Sequence, residues 1–254
     1  DEILITQAEH ASNVLPWFKV HEITGAKIGY IPLDKSGRLT PENVLKAITP
    51  NTKIIAIAQV TNVLGFLIDV KEIARIAHEH NIIVVCDGAQ SVPHMEIDVK
   101  DLDIDFLSFS AHDPLMSGGG MNAKFDMCGD VKYVNPPSKF EAGTLNLEGI
   151  YGVKAAVEYL SNIGMKNIEN YERELRSYMI KKMKEVPDII IYNEDAEAGI
   201  VTFNVKGIFA QDLATYLNSQ GIAVRSGQHC AKILVSFLHE VATCRASIYF
   251  YTTK

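Results

Sequence analysis

Residues 82–86, Ile-Ile-Val-Val-Cys, form an apolar run without alternation that closes on Asp87-Gly88-Ala89-Gln90. Such a run predicts a strand buried on both faces, as in a parallel sheet covered by helices. In open α/β sheets ligands sit beyond the carboxyl ends of the strands, which puts Asp87 where a site belongs. Gly88 lets the backbone turn sharply beneath it. Asp-Gly is equally an ordinary turn signal. Residues 3–5 read as another buried strand, 13–23 as a short helix and 28–31 as a strand. Thr40-Pro41-Glu42 reads as an N-cap followed by proline in the first helical turn. Residues 53–60 predict a strand. Asp69 caps a helix running to His80, with Val70, Ile73, Ala74, Ile76 and Ala77 on one face. Strand, helix and the 82–86 run make a βαβ unit, whose right-handed crossover sets Thr61-Asn62 on the same sheet edge as Asp87.

Residues 106–110 form a further apolar segment. No strand or helix pattern then follows until Leu147, a length of irregular sequence that is uncommon inside a compact domain. Residues 148–163 and 167–186 read as helices, 189–191, 200–205 and 223–224 as strands, and 211–218 as a helix. Together they suggest a smaller second domain. The chain has 254 residues, 47% hydrophobic and 22% charged, with a mean hydropathy of +0.06, which describes a soluble globular protein large enough for two domains. No apolar run is long enough to span a bilayer. A formal charge of -7, a pI near 5.6 and the lack of a basic cluster argue against nucleic acid or an anionic membrane as main partner. The four cysteines, Cys86, Cys128, Cys230 and Cys244, form no CxxC pair and no metal-type spacing, so a reduced, cytoplasmic protein without a metal site is expected. Residues 1–6 carry no charged stretch with a following apolar one, so no signal peptide is read.

A set of short motifs adds chemistry: Glu9-His10-Ala11, Thr61-Asn62-Val63-Leu64-Gly65, Asp87-Gly88-Ala89-Gln90, Ser110-Ala111-His112, Phe140-Glu141-Ala142-Gly143-Thr144, residues 225–231 (Arg-Ser-Gly-Gln-His-Cys-Ala) and Cys244-Arg245-Ala246-Ser247. In this combination and order the chain resembles the pyridoxal-phosphate cysteine desulfurases of the class V aminotransferase group, and within it the SUF-type branch. The resemblance implies an α/β protein with the fold type I architecture of pyridoxal-phosphate enzymes. A large domain at 1–150 would hold a seven-stranded mixed sheet, and a smaller C-terminal α+β domain at 151–254 would carry Cys230 and Arg245. It further implies that Asp87 keeps the pyridinium nitrogen protonated, that Gln90 bonds the ring oxygen, that Asn62 lies close to that oxygen and to the substrate, and that His10 stacks on the ring and helps proton transfers. Ser110 and His112 would be phosphate ligands, and Thr144 would reach the phosphate of a neighbouring subunit in a homodimer. Arg245 would pair with the substrate carboxylate through its planar fork, with Arg225 nearby. Cys230 would take sulfur from L-cysteine as a persulfide, leaving alanine, and pass it to an iron-sulfur assembly scaffold or another acceptor protein. Arg225 and His229 would favour its thiolate. Cys86, Cys128 and Cys244 read as structural.

The sequence departs from this pattern at Asp113, where the family has its Schiff-base lysine directly after Ser-x-His. An aspartate has no amine to bond the cofactor. The glycine-rich loop and strand that follow the lysine in the family, a portion before Asp1 and a last helix after Lys254 are missing from the chain as well. Two readings follow: a catalytically silent relative that binds a partner, or a sequence lacking segments that the whole polypeptide carries, with no cofactor in that state. The second is preferred, because loss of cofactor binding gives no reason to keep Asp87, Gln90, Asn62, Cys230 and Arg245 together. Selenocysteine lyase activity is the nearest enzymatic alternative. Gln211 stands where many SUF-type relatives have histidine, which bears on the choice of acceptor; Gln228 also replaces a common histidine, with less obvious effect.

Overall fold

The structure, a computed structural model, describes residues 1–109, 122–125, 131–135 and 146–254. It divides into two compact units, Asp1–Phe109 with Met165–Lys254, and Ser110–Gly164. In the first unit β1 (Glu2–Thr6), β2 (Lys27–Ile31), β3 (Thr52–Ala58), β4 (Ile83–Asp87) and β5 (Phe106–Ser108) make a sheet of order β2-β1-β3-β4-β5. All its pairings are parallel. The sheet that the resemblance gives as seven-stranded has five strands among the described residues.

Short helices connect these strands, and their ends follow from local chemistry. A 3-10 turn at Ala11–Asn13 leads into α1 (Leu15–Thr24), which has proline in its first turn and closes on Gly25 at φ 74°, a conformation that only glycine adopts at little cost. Before α2 (Pro41–Ala47), Thr40 accepts the Asn43 N–H through its hydroxyl. Asp69 does the same for Glu72 at the head of α3 (Val70–Glu79), whose Val70, Ile73, Ala74, Ile76 and Ala77 are buried as the periodicity predicts. Val70, Ile73, Ala74 and Ala77 of that face join Ile55, Ile57, Leu64, Phe66 and Val84 in the main core. At about 25 cal/mol per Å² of apolar surface, each of the larger side chains there contributes about 2–3 kcal/mol. The β3-α3-β4 unit puts Ala58 opposite Asp87 in register, and the Gln59 N–H donates to the Asp87 carbonyl at 2.9 Å. Thr61-Asn62 therefore turns at the same carboxyl edge as Asp87.

β4 departs from the expectation of a strand buried on both faces. Val84 and Cys86 are fully buried, whereas Ile83 is 43% exposed. Ile83 and Val85 border an open hollow of about 560 Å³ with Trp17, Ile54, Phe106 and Phe109. Composition reports how apolar a strand is, and only tertiary packing decides whether both faces are covered.

After α4 (Val99–Leu102) and β5 comes the second unit. It contains an antiparallel pair, β6 (Asn122–Phe125) with β7 (Val131–Tyr133), and α5 (Leu147–Ile163). These strands correct the expectation that nothing regular precedes Leu147; at three and four residues they are too short to register as periodicity. α6 (Met165–Met183) returns to the first unit, followed by β8 (Ile189–Ile191), β9 (Ile200–Val205), α7 (Ala210–Ser219), β10 (Arg225–Gly227), α8 (Lys232–Phe237) and β11 (Thr243–Ser247). The four strands form an antiparallel sheet of order β10-β11-β9-β8. The strand expected at 223–224 lies instead at Arg225–Gly227, because pairing with β11 fixes the register there. Asn193 ties the two sheets together. Its amide donates to the Leu64 and Ile200 carbonyls, and its oxygen accepts the Thr202 N–H.

Candidate active site

Five segments of the first unit meet at the carboxyl edge of the parallel sheet: 9–11, 61–62, 87–90, the loop after β10, and β11. At 9–11, the Ser12 N–H donates to His10 Nδ1 at 3.2 Å, so the neutral imidazole carries its proton on Nε2. Beside it Glu9 is buried, accepting from the Thr6 hydroxyl at 2.6 Å and from Asn13 Nδ2 at 2.8 Å. Burial pushes the Glu9 carboxyl up to about 7, and the Asp87 carboxylate adds repulsion against the downward pull of those hydrogen bonds. Asp87 is half-buried, with one carboxylate oxygen accepting the Ala89 N–H at 2.9 Å. Gln90 is half-buried in the turn that follows.

The loop after β10 carries Cys230 at the surface and His229 inside. His229 and Cys230 have positive φ, 53° and 57° respectively, in the left-handed region that non-glycine residues seldom enter. The Cys230 carbonyl accepts the Ala11 N–H at 2.8 Å, and the His229 carbonyl accepts Asn62 Nδ2 at 2.8 Å. Arg225 approaches Cys230 Sγ at 3.7 Å. Arg245 donates to the Asn62 carbonyl at 2.7 Å. In the β10-β11 register Arg225 and Arg245 are directly opposite each other, so two cations share one face. Like charges so paired are unfavourable without an anion between them. Burial and the Arg225 charge lower the pKa of Arg245, while negative charge on Cys230 acts in the opposite direction.

Of the residues expected from the sequence, the structure brings Asn62, Arg225, Cys230 and Arg245 into this set of contacts, places His10 next to Ala11, which bonds the Cys230 carbonyl, and holds Asp87 and Gln90 at the same edge. Ser110, His112 and Thr144 lie outside the described residues, as does Cys128. Cys86 and Cys244 are buried, as structural cysteines should be. The expectation that His229 favours a thiolate is corrected. Burial and the neighbouring Arg245 and Arg225 charges hold its pKa down to about 4, so the ring is neutral near pH 7. The titration of Glu9 was not anticipated from its motif. Nor was β11, although its alternation of Cys244, Ala246 and Ile248 with Arg245 and Ser247 is a legible strand signal.

Asn62 Oδ1, His229 Nδ1 and Arg245 Nε are buried with no hydrogen-bond partner. Polar atoms left so are costly unless a ligand satisfies them. A donor, Arg245 Nε, and an acceptor, Asn62 Oδ1, at the same strand edge as the Asp87 carboxylate fit the substrate and ring ends of a pyridoxal-phosphate site. The covalent anchor does not fit, because Asp113 offers no amine.

The fold is that of the fold type I pyridoxal-phosphate enzymes, an α/β sheet followed by an antiparallel C-terminal sheet. The aminotransferase class-V model matches residues 1–113 and 113–254, and the chain belongs to that family. A probable cysteine desulfurase of Halalkalibacterium halodurans is 43% identical over 277 positions, covering all of this chain and 68% of the relative. The alignment is longer than the 254-residue chain, so the relative carries residues that this chain lacks. The two family matches meet at Asp113, the site of the expected lysine. Among solved structures, the cysteine desulfurase CsdA of Escherichia coli is 32% identical with a TM-score of 0.93, covering 100% of this chain and 68% of that one. An apo cysteine desulfurase from Thermococcus onnurineus is 34% identical with a TM-score of 0.90, covering 100% and 69%.

Proposed function

We propose that the chain is a cysteine desulfurase, converting L-cysteine to L-alanine with the sulfur retained on Cys230. The observation that carries the reading is the pair of arginines in register beside an exposed thiol. Arg245, with an unpartnered Nε, has the geometry to bind a substrate carboxylate, and Arg225 faces the sulfur that must act as nucleophile. The net transfer balances: cysteine and the Cys230 thiol give alanine and a Cys230 persulfide. Asp87, Gln90, Asn62 and His10 would hold the ring of pyridoxal phosphate, with Ser110, His112 and Thr144 at its phosphate. When bound, the cofactor supplies an electron sink. His10 presents an Nε2–H for proton movement at the ring.

The same reading takes 1–150 as the cofactor-binding portion and 151–254 as the portion carrying Cys230 and Arg245. The protein would work as a cytoplasmic homodimer whose persulfide goes to an iron-sulfur scaffold or other acceptor protein in the manner of the SUF branch. Incubation with pyridoxal phosphate and L-cysteine, followed by alanine analysis and mass spectrometry of the Cys230 peptide, tests it. Cysteine turnover that survives Cys230→Ala would sink the persulfide assignment, and relative rates on cysteine and selenocysteine separate the lyase alternative. Asp113 favours a second reading, a silent homologue that binds a partner. Protein that stays colourless with the cofactor and forms no alanine, with a continuous His112-Asp113 peptide on mapping, would establish that reading instead.

A further inference from the structure

We propose that His229 is a positioning residue whose Nε2–H, donated to the Thr243 carbonyl, sets the left-handed turn that turns the Cys230 thiol toward Arg225. The inference rests on the reading of Cys230 as the sulfur-accepting thiol, and extends it to a residue that has no part in the chemistry.

Two consecutive non-glycine residues at φ 53° and 57° form a turn that the chain does not favour by itself, so the surroundings must hold it. Three contacts from three segments do. The Ala11 N–H binds the Cys230 carbonyl and Asn62 Nδ2 binds the His229 carbonyl. Both act on the backbone and would serve any residue at these positions. The third is specific to the side chain. His229 is 2% exposed, and its Nε2 lies 3.0 Å from both the carbonyl and the hydroxyl of Thr243 on β11. A carbonyl only accepts, so Nε2 carries the proton and Nδ1 keeps a lone pair. Nδ1 is buried without a partner. A second proton there would add an unpaired N–H and a positive charge beside Arg245 on β11 and Arg225 on β10. These are the charged groups that act on the ring, and with burial they keep it neutral down to about pH 4. The peg therefore stays in one protonation state across the range in which a thiol must ionise. Arg225, 3.7 Å from Sγ, is the group that the turn brings into contact.

The test uses substitutions that separate the two ring nitrogens. A glutamine amide reaches the Nε2 position and can donate to Thr243, whereas an asparagine amide reaches only the Nδ1 position. The readout is the rate of Cys230 alkylation by iodoacetamide in the native protein, followed peptide by peptide, with and without Arg225→Met. This needs neither substrate nor cofactor, so it can fail or succeed independently of the desulfurase reading. Loss of a hydrogen bond from a charged donor corresponds to about tenfold. We expect Arg225→Met to slow alkylation by about tenfold in the native background and in His229→Gln, and to have no effect in His229→Asn. Cys86 and Cys244, both fully buried, should stay unmodified in every variant that has folded. Imidazole ¹⁵N spectra should give the neutral Nε2–H form of His229 from pH 8 to near 4. Equal dependence on Arg225 in the Gln and Asn variants would overturn the proposal, as would a ring protonated on Nδ1.

Discussion

Replacing Glu9 by glutamine should make the protein more stable above neutral pH, with a pH dependence that identifies the cause. In the unfolded chain Glu9 loses its proton near 4.5; in the folded chain burial, with repulsion from Asp87, delays this to about 7. The folded state then binds the proton more tightly. Stability is highest below pH 4.5, falls as pH rises from 4.5 to 7, and is level above. At about 1.4 kcal/mol for each tenfold change in proton affinity, the loss is about 3 kcal/mol. Glutamine does not titrate, and its amide can donate to Thr6 Oγ1 while its oxygen accepts from Asn13 Nδ2, replacing both bonds that Glu9 makes with side chains. Chemical denaturation of both proteins from pH 4 to 8.5 should give a difference that grows through this window to a plateau of about 3 kcal/mol in favour of Glu9→Gln. Titrating groups not coupled to Glu9 cancel in that difference. Parallel stability curves would refute the argument, since they would mean that Glu9 ionises alike in both states.

Asn193→Ala should cost about 2–4 kcal/mol in the same denaturation assay, because it strands the Leu64 and Ile200 carbonyls and the Thr202 N–H, all inside the core. Gly65→Ala should destabilise by about 1–3 kcal/mol: at φ +64° a new Cβ would lie 3.2 Å from Ile200 Cβ and 3.4 Å from Ala198 Cβ. In steady-state kinetics with cysteine, Arg245→Ala should raise KM by about 10–100-fold with a smaller change in kcat, as expected for a carboxylate contact made in the ground state.

The first half of the fold was legible because its signals are local. Asp69, the spacing of Val70 to Ala77 and the strand on either side define a βαβ unit from sequence alone, and parallel topology then puts Asn62 and Asp87 on one edge. What was not legible depends on partners distant in the chain. Nothing in Arg225 or Arg245 individually says that they face each other, since that follows from the register of β10 on β11. His229 looks like a base beside a cysteine, and only burial with two cations makes it a neutral donor. Ile83 and Val85 read as core because the sequence carries no record of which sheet face is left open. The departure at Asp113, by contrast, is visible in the sequence at once, and the break between the two family matches falls at the same residue.

The contacts that fix the Cys230 loop also bear on the order in which the chain can fold. Asn62 reaches His229 across 167 positions and Arg245 reaches Asn62 across 183. The β3-α3-β4 unit closes over far shorter distances, so it can form while the C-terminal sheet is still unmade. During synthesis, the turn at Asn62 must wait for β11 before its carbonyl and amide find their partners. The surroundings of Cys230 are thus a late product of folding, and a chain stalled before that step would expose its thiol with neither Arg225 nor His229 in place.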